Sequence, residues 1–277
     1  MPQKKKKRLK IGIVGCGAIG SSLAKAVIKE FFHQAELTAL FDINPKESVR
    51  LARALGRPRL VVPGLKELIN KVDLVIEAAC AISAAHIAKK TISSSRDVMI
   101  MSVGGIITDY KRLAHLAEIK NARIFIPSGA ISGIDGLKAA VCGKVNRVIL
   151  TTKKHPKAFL GVPYLLKRKI RLDKIKKDKV IFTGNALSAV KAFPQNINVA
   201  ATLSIAGIGP KKTFIRIVAS PNLTRNTHEI VVESKAARII SKTENTLHPD
   251  NPKTSYLAVL SAVVTLKQIL SALRIGS

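Results

Sequence analysis

LKIGIVGCGAIGSSLAKAVI, residues 9–28, is the stretch that decides the fold. Residues 9–14 form a short apolar run with β-branched side chains, which is typical of a buried strand. Gly15 ends that run, and a helical pattern follows at once, with Ile19, Leu23 and Val27 on one face. The stretch therefore predicts a strand, a tight turn and a helix in immediate succession.

The glycines of this turn have the spacing G-x-G-x-x-G, at Gly15, Gly17 and Gly20. The first permits the tight turn, the second lets a pyrophosphate approach the backbone, and the third lets helix and strand pack closely. The pattern alone is a weak signal, but a strand before it and a helix after it are what anion binding at a helix N-terminus requires. We predict that Gly15, Gly17, Ala18, Ile19 and Gly20 bind the pyrophosphate of NAD or NADP; the alternative is a related domain that holds no cofactor.

An acidic residue follows the second predicted strand, residues 36–41. Asp42 lies 22 residues beyond Gly20, where a carboxylate accepts hydrogen bonds from the adenosine ribose. This position favours NAD over NADP, although the nearby Lys46 would weaken the discrimination. The alternative interpretation is that Asp42 only caps the helix that begins after it.

Strands and helices continue to alternate up to residue 126, which indicates a parallel, doubly wound sheet. Ligands of such sheets bind beyond the carboxyl ends of the strands. We therefore expect Ala79 and Cys80, together with the loops at 102–105 and 128–130, to line the nicotinamide site, unless these are merely tight turns. The further predicted strands are 61–62, 74–77, 98–102 and 123–126, and the further predicted helices are 65–69, 84–91 and 109–118.

The pattern changes after residue 126, where Gly, Ala and Ser dominate 128–133. We predict an α/β protein with an N-terminal Rossmann dinucleotide-binding domain, residues 1–126, and a second α+β catalytic and dimerisation domain, residues 127–249. A long helix at 254–275, within the terminal segment 250–277, is expected to pack back on the first domain. The second domain is predicted to hold helices at 135–140, 185–193 and 198–207, an exposed irregular segment at 159–179, and a largely antiparallel sheet from strands 148–152, 213–219, 227–233 and 237–243.

The composition limits the class of protein. The 277 residues are 47% apolar, enough for a buried core without staples, and three scattered cysteines give neither a disulfide framework nor a zinc site, so no metal is expected. We expect a cytoplasmic protein without a membrane segment. A net charge of +30 attracts polyanions, but aromatics are only 4% with no Trp, so we expect no specific nucleic-acid partner.

A hydride-transferring enzyme needs a proton-transfer group, most often a histidine. Of the six histidines, His228 and His248 lie in polar loops of the second domain and are the best candidates on the residues alone. Four segments then decide between them: FPQNINVAATL at 193–203, TRNTH at 224–228, HPDNPKTSY at 248–256 and SGAISGID at 128–135. These segments resemble those of the L-aspartate dehydrogenase family. The resemblance runs from Leu9 onward, with the basic tail and residues 167–179 expected to lie outside it.

The resemblance implies roles for particular residues. His228 matches the family's proposed acid/base, and Ala130 and Asn198 match residues that contact the cofactor. The implied reaction is oxidation of L-aspartate with NAD(P)+ to iminosuccinate, then hydrolysis to oxaloacetate and ammonia. His228 would take a proton from the amine or activate the water. The resemblance also implies a cytoplasmic homodimer that supplies iminosuccinate for NAD biosynthesis.

A dicarboxylate substrate would need cationic and neutral hydrogen-bond donors. We expect them among Asn196, Arg225 and Thr227, with Lys153, Lys154 and Ser255 as further options; the alternative is a solvated basic surface. Two other functions stay open from the sequence. One is a homoserine dehydrogenase-like or dihydrodipicolinate reductase-like enzyme that shares only the first domain, and the other is a non-enzymatic NAD-sensing or polyanion-binding protein.

Overall fold

The computed structural model describes residues 7–194, 197–249 and 251–276. The chain divides into two compact units, one formed by Met1–Pro127 with Ala262–Arg274, the other by Ser128–Ser261 with Ile275–Ser277. The first division therefore falls one residue after the predicted position. The C-terminal part of the chain rejoins the first unit at Ala262, twelve residues later than the predicted position, residue 250.

The first unit contains a five-stranded sheet in the order β2-β1-β3-β4-β5, with every neighbouring pair parallel. This is the predicted α/β dinucleotide-binding architecture. Because β2 and β3 lie on opposite sides of β1, the chain reverses its direction of winding there, and the carboxyl ends of β1 and β3 border the ligand crevice of such a sheet. The strands are β1 Leu9–Val14, β2 Ala35–Phe41, β3 Leu74–Glu77, β4 Asp97–Ile100 and β5 Ile124–Phe125, and the helices are α1 Ala18–Lys29, α2 Pro45–Ala54, α3 Leu65–Asn70, α4 Ala81–Ser93 and α5 Tyr110–Ile119.

The core of this unit follows the apolar pattern of the sequence. Ile11 and Ile13 on β1 and Leu23 on α1 are fully buried in one cluster. Burying each such side chain contributes about 1.5–3 kcal/mol. Ala262 and Leu266, near the C-terminus, belong to the same cluster. This core fixes the strand and the helix that flank the glycine turn.

The second unit contains a five-stranded sheet in the order β10-β9-β6-β8-β7, in which β6 and β8 are parallel and the other three pairs are antiparallel. Val148 and Leu150 on β6 and Ile230 and Val232 on β9 are buried, so these strands have one core face. The strands are β6 Val145–Lys154, β7 Lys179–Asn185, β8 Phe214–Ala219, β9 Asn226–Ser234 and β10 Arg238–Asn245, with a separate pair β11 Leu247–His248 and β12 Asn251–Ser255; the helices are α6 Ile134–Val141, α7 Pro163–Lys167, α8 Ala186–Ala192, α9 Asn198–Ala206 and α10 Tyr256–Leu270.

The segment predicted as exposed and irregular, 159–179, is mostly exposed, but three of its side chains are buried. Phe159 and Leu165 are buried, and Pro163–Lys167 is a short helix. The Tyr164 ring lies 5.4 Å from that of Phe193 and 5.5 Å from that of Phe182. A few apolar side chains, widely spaced among basic residues, therefore hold this mostly exposed segment, which the prediction did not anticipate.

Three element predictions need correction. The predicted strand 61–62 is a single parallel bridge between Leu40 and Val61. Residues 179–185 form a strand that was not predicted, and Asn185 ends it and caps α8 by accepting a hydrogen bond from the Ser188 amide at 2.8 Å. The final helix is shorter than 254–275, because β12 runs to Ser255 and the helix ends at Leu270.

In the part of the chain that the structure describes, no helix has the length and apolarity to cross a bilayer.

Candidate active site

The glycine turn has the backbone conformation that its first glycine was predicted to allow. Gly15 has φ +95°, and its amide donates a hydrogen bond of 2.9 Å to the carbonyl of Phe41. A Cβ at this position would collide with the Ala78 carbonyl oxygen. The turn after β1 therefore packs directly on the backbone that follows β3, and only glycine fits between them.

The other two glycines differ in what surrounds them. A Cβ on Gly20 would collide with the Gly15 carbonyl, which is the close helix–strand packing expected of the third glycine. A Cβ on Gly17 would meet no described protein atom within 4 Å. The absence of a side chain at Gly17 is thus not required by the protein's own packing, and it leaves space beside the start of α1.

The start of α1 presents unsatisfied backbone donors. None of the described side chains caps this helix, and its first turn has no acidic residue. The first amides of a helix point outward and favour an anion. Together with the open space at Gly17, the amides of Ala18, Ile19 and Gly20 fit a cofactor pyrophosphate.

Asp42 lies at the end of β2 and binds this turn. Its Oδ2 accepts a hydrogen bond of 2.7 Å from the Cys16 amide, and its Oδ1 accepts one of 2.9 Å from the Asn44 amide. The cap of α2 is Asn44, whose side chain accepts from the Lys46 amide, so Asp42 is not that cap. Each carboxylate oxygen can accept a second hydrogen bond, which leaves Asp42 able to bind a ribose hydroxyl.

Glu77 is a residue of this edge that the sequence analysis missed. It is the last residue of β3 and is fully buried. Its Oε1 accepts from the Ala79 amide at 2.9 Å and its Oε2 from the Ser102 amide at 2.9 Å. Burial raises the pKa of the Glu77 carboxyl above its usual value, against the opposite effect of these hydrogen bonds. The sequence feature that could have identified Glu77 is its position: it is the carboxylate at the end of the apolar run LVIE, just before the small residues of the loop after β3.

Through Glu77, one side chain holds the loops after β3 and β4. Ala79 and Cys80, predicted to contact the cofactor, lie on the first of these loops; Cys80 is exposed, is the N-cap residue of α4 and lies 3.4 Å from the Ser83 hydroxyl. That hydrogen bond lowers the pKa of the Cys80 thiol. The buried Glu77 carboxylate, rather than an exposed residue, therefore sets the positions of the loops after β3 and β4.

Replacing Glu77 with Gln should loosen both loops. A Gln amide group has only one acceptor oxygen, so one backbone amide would face an NH2 group and lose its partner. We expect the free energy of unfolding to fall by about 1–3 kcal/mol and the dissociation constant for NAD+ to rise, as measured by chemical denaturation and cofactor titration. Glu118→Gln, at an exposed carboxylate that contacts only His115 in the described structure, is the control. Equal behaviour of the two variants would contradict the role of Glu77.

In the second unit, His228 is buried on β9 with 3% of its surface exposed. Its partner in the sheet register is Thr152 of β6, and the Thr152 hydroxyl lies 3.0 Å from His228 Nδ1. Among described residues, this is the hydrogen bond that the His228 ring makes. Thr152 therefore fixes the orientation of the imidazole and leaves Nε2 as the nitrogen available for proton transfer.

Burial also sets the charge of His228. Desolvation, and secondarily the positive charge of Lys154, lower the pKa of His228 to about 3. The imidazole is therefore neutral near pH 7, and a neutral imidazole can accept a proton.

The other histidines have local contacts. His155 accepts a hydrogen bond from the Lys157 amide as the cap of a short 3₁₀ helix, and His115 pairs with Glu118. His33 stacks at a tilt on Phe32, and His86 is exposed. His248, the second candidate, is buried with its ring centroid 5.4 Å from that of Tyr256. His228 is the buried histidine whose ring is seen to be oriented by a hydroxyl, that of Thr152.

The remaining predicted site residues are placed as follows. Ala130 is buried, and its carbonyl accepts a hydrogen bond of 3.0 Å from the Asn245 side chain. Asn198 is the exposed first residue of α9. Arg225 is exposed and its carbonyl accepts from the Thr227 hydroxyl at 3.3 Å. Asn196 lies outside the described residues.

Thr227 is not brought together with His228. The two are consecutive on β9, and successive side chains of a strand point to opposite faces. The role of Thr227 as a substrate donor stays a prediction that this geometry does not favour. No group of three His, Cys, Asp or Glu side chains suited to a metal occurs within 7–194, 197–249 and 251–276.

Comparison with known proteins supplies the family. Residues 15–127 match the model described as the homoserine dehydrogenase NAD-binding domain, and residues 135–269 match the aspartate dehydrogenase C-terminal model. An L-aspartate dehydrogenase from Methanosarcina barkeri is 44% identical over 97% of this chain and 100% of its own. The chain belongs to the L-aspartate dehydrogenase family.

Two further relatives agree with this membership. An L-aspartate dehydrogenase from Methanococcoides burtonii is 45% identical over 97% of this chain and 100% of its own. The crystal structure of aspartate dehydrogenase from Thermotoga maritima, 24% identical, superposes with a TM-score of 0.74 and covers 98% of this chain and 100% of its own. The chain is thus an oxidoreductase of the amino-acid dehydrogenase kind with a pyridine-nucleotide-binding domain.

The matched ranges also settle two expectations. The predicted resemblance to this family is confirmed, and the first domain is the part shared with homoserine dehydrogenases, as the alternative supposed. The expectation that residues 167–179 lie outside the resemblance was wrong, since the matched range 135–269 runs through them.

Proposed function

We propose that the protein oxidises L-aspartate with NAD+ or NADP+ to iminosuccinate, which water converts to oxaloacetate and ammonia, or catalyses the reverse reductive amination. The observation that carries the proposal is the buried His228–Thr152 pair within the family-specific second unit. A nicotinamide cofactor, when bound, accepts the hydride from the substrate α-carbon. The proposal assigns cofactor binding to the glycine turn and proton transfer to His228.

The proposed role of His228 follows from its hydrogen bond. With the proton on Nδ1 donated to the Thr152 hydroxyl, Nε2 presents its lone pair. Nε2 then takes a proton from the substrate amine while the α-carbon loses its hydride, so the C–N bond becomes an imine. The imidazolium can return that proton when water attacks the imine and ammonia leaves.

For the cofactor, we propose that NAD is favoured over NADP. A negative Asp42 within reach of the ribose would repel the additional phosphate of NADP. Asp42→Ser should lower the ratio of kcat/KM for NAD+ to that for NADP+ by roughly 10–100-fold, about 1.4–2.8 kcal/mol. Asp73→Ser, at the amino end of β3, is the control. An unchanged ratio in Asp42→Ser would contradict the assignment.

We further propose a cytoplasmic homodimer whose iminosuccinate feeds NAD biosynthesis. Support for self-association comes from an apolar row on α10, where Tyr256, Leu257, Leu260 and Val264 are 37–53% exposed. Exposed apolar rows of this kind are typical of protein interfaces. Sedimentation velocity tests the dimer directly.

Initial rates of cofactor reduction test the proposed activity. L-aspartate should support reduction of NAD+ and homoserine should not. Turnover of homoserine in place of L-aspartate would favour the alternative dehydrogenase. Cofactor binding without turnover of any amino acid would favour an NAD-sensing or polyanion-binding protein.

A further inference from the structure

The second unit contains a groove of about 590 Å³ in the segment between α7 and β7. All the residues that line it fall between 168 and 179, so we call it the basic groove after the lysines and arginines of that segment. Its volume is within the range of about 300–1,000 Å³ that small-molecule sites occupy. The basic groove therefore has the size of a ligand site, and the proposed aspartate oxidation makes no use of it.

The backbone of the basic groove is fixed at several points. Ile175 is buried, and the Ile170 amide donates a hydrogen bond of 3.0 Å to the carbonyl of Leu165. The Arg168 guanidinium lies over the Tyr164 ring, 4.7 Å from its centroid. Because these contacts hold the chain, the charged side chains line a surface of defined shape.

The acidic residues of this segment are already paired. Seven of the ten lining residues are lysine or arginine, and one, Asp178, is acidic. The Asp178 carboxylate accepts hydrogen bonds from Lys153, on β6, and from the Ser220 hydroxyl. Asp173 pairs with Arg171 at 2.9 Å. The negative charges of the segment therefore neutralise only part of its positive charge.

Three lysines on either side of Asp178 carry the excess. Lys176, Lys177 and Lys179 are exposed, and none of them forms an ion pair with a residue in the described part of the chain. Like charges held close together repel one another. A cleft lined by charges of one sign also concentrates their field and attracts the opposite ion. An anion of high charge density would relieve this repulsion.

The side chains of the basic groove suit phosphate groups better than nucleic-acid bases. Lysine binds phosphate as a compact point charge. Proteins that bind single strands without sequence preference add aromatic side chains on which the bases stack. None of the described lining residues is aromatic, and Arg168 already covers the Tyr164 ring. The basic groove thus offers positive charge without a stacking surface.

We propose that the basic groove binds a compact chain of phosphates, such as inorganic triphosphate or the triphosphate group of a nucleotide, through Lys176, Lys177 and Lys179. A chain of phosphates brings more negative charge in one small molecule than a dicarboxylate does, so it matches these closely spaced lysines better. The phosphates are the recognised part, and an attached nucleoside adds little affinity.

Isothermal titration calorimetry with inorganic triphosphate tests the site on the full chain. The protein is saturated with NAD+ so that the glycine turn does not compete for the probe, and the ionic strength is held constant because salt screens exposed charges. The double variant Lys176→Gln/Lys177→Gln should bind triphosphate roughly tenfold more weakly, since each exposed ion pair contributes little. Its melting temperature should not change, because both side chains are exposed.

A matched double variant separates the basic groove from the overall charge of +30. Lys89→Gln/Lys111→Gln removes the same charge from exposed positions of α4 and α5, so it should bind triphosphate as wild type. ATP should bind with the affinity of triphosphate and should lose it in the groove variant. Tighter binding of ATP that also depends on the groove lysines would support the site and identify a nucleotide as its ligand.

Three results would overturn the proposal. Equal affinities of the two double variants for triphosphate would show that the groove lysines form only a solvated surface. Equal binding of citrate and triphosphate to the wild-type protein would remove the preference for phosphate. If the groove variant lost affinity for a single-stranded oligouridylate but not for triphosphate, the ligand would be a nucleic acid instead. Because no probe is an amino acid, these failures would leave the proposed aspartate oxidation unaffected.

Discussion

His228→Ala is expected to lower kcat/KM for L-aspartate by about 10³-fold, within the range that a positioned acid/base contributes. The loss follows because the substitution removes the imidazole that the Thr152 hydroxyl orients for proton transfer. The affinity for NAD+ should stay nearly unchanged, since the glycine turn belongs to the other unit. Initial rates and cofactor titration on the same preparation measure the two quantities separately.

Two further variants define the role of the ring. Thr152→Val keeps the shape of the side chain but removes the hydroxyl at Nδ1, so it should lose part of the activity while retaining His228. His115→Ala, at an exposed histidine, is the matched control and should behave as wild type. Retained turnover in His228→Ala would refute the assigned role, and so would an equal loss in NAD+ affinity.

The second large effect is expected at Gly17. Gly17→Ala should weaken NAD+ binding by roughly 100-fold, about 2.8 kcal/mol, and leave the melting temperature unchanged. The added methyl group would occupy space that is open in the protein but lies beside the amides of the first turn of α1. It would therefore obstruct the pyrophosphate and not the fold.

Two other glycines make this prediction selective. Gly20→Ala would force a contact with the Gly15 carbonyl, so it should lower the melting temperature as well as cofactor affinity. Gly143→Ala meets its nearest described atom at an ordinary 3.6 Å and should change neither. If Gly17→Ala bound NAD+ as wild type, or if it melted early like Gly20→Ala, the open space at Gly17 would not be the pyrophosphate site.

The first unit was predictable because its information is local. The run 9–20 contains the strand, the turn and the helix start within a few residues, and the second strand ends at Phe41, immediately before Asp42, as expected. Glu77 escaped notice because its function depends on the amide of Ser102, which lies 25 residues away in the loop after β4. Sequence periodicity predicted the strands, but it did not predict that the Glu77 carboxylate would accept hydrogen bonds from the amides of Ala79 and Ser102.

In the second unit, the local pattern was less informative. The contact between Thr152 and His228 depends on the register of β6 against β9, across 76 residues of chain. Resemblance to the family identified His228, but nothing in the sequence indicated its partner or the low pKa that burial imposes.

Errors in this unit have the same origin. The three buried side chains of the segment 159–179, Phe159, Leu165 and Ile175, were missed because they are widely spaced among basic residues. The strand 179–185 was missed because only Ile181 and Phe182 in it are buried. A segment held by two or three side chains has too few apolar positions to show a period.

The most direct test of the proposed activity is transfer of deuterium from L-aspartate labelled at the α-carbon. The protein is incubated with this substrate and NAD+, and the mass of the isolated reduced cofactor is measured by mass spectrometry. Hydride transfer from the α-carbon should give NADH that carries one deuterium, with oxaloacetate and ammonia formed in equal amount. Unlabelled NADH, or no reduction of the cofactor, would contradict it.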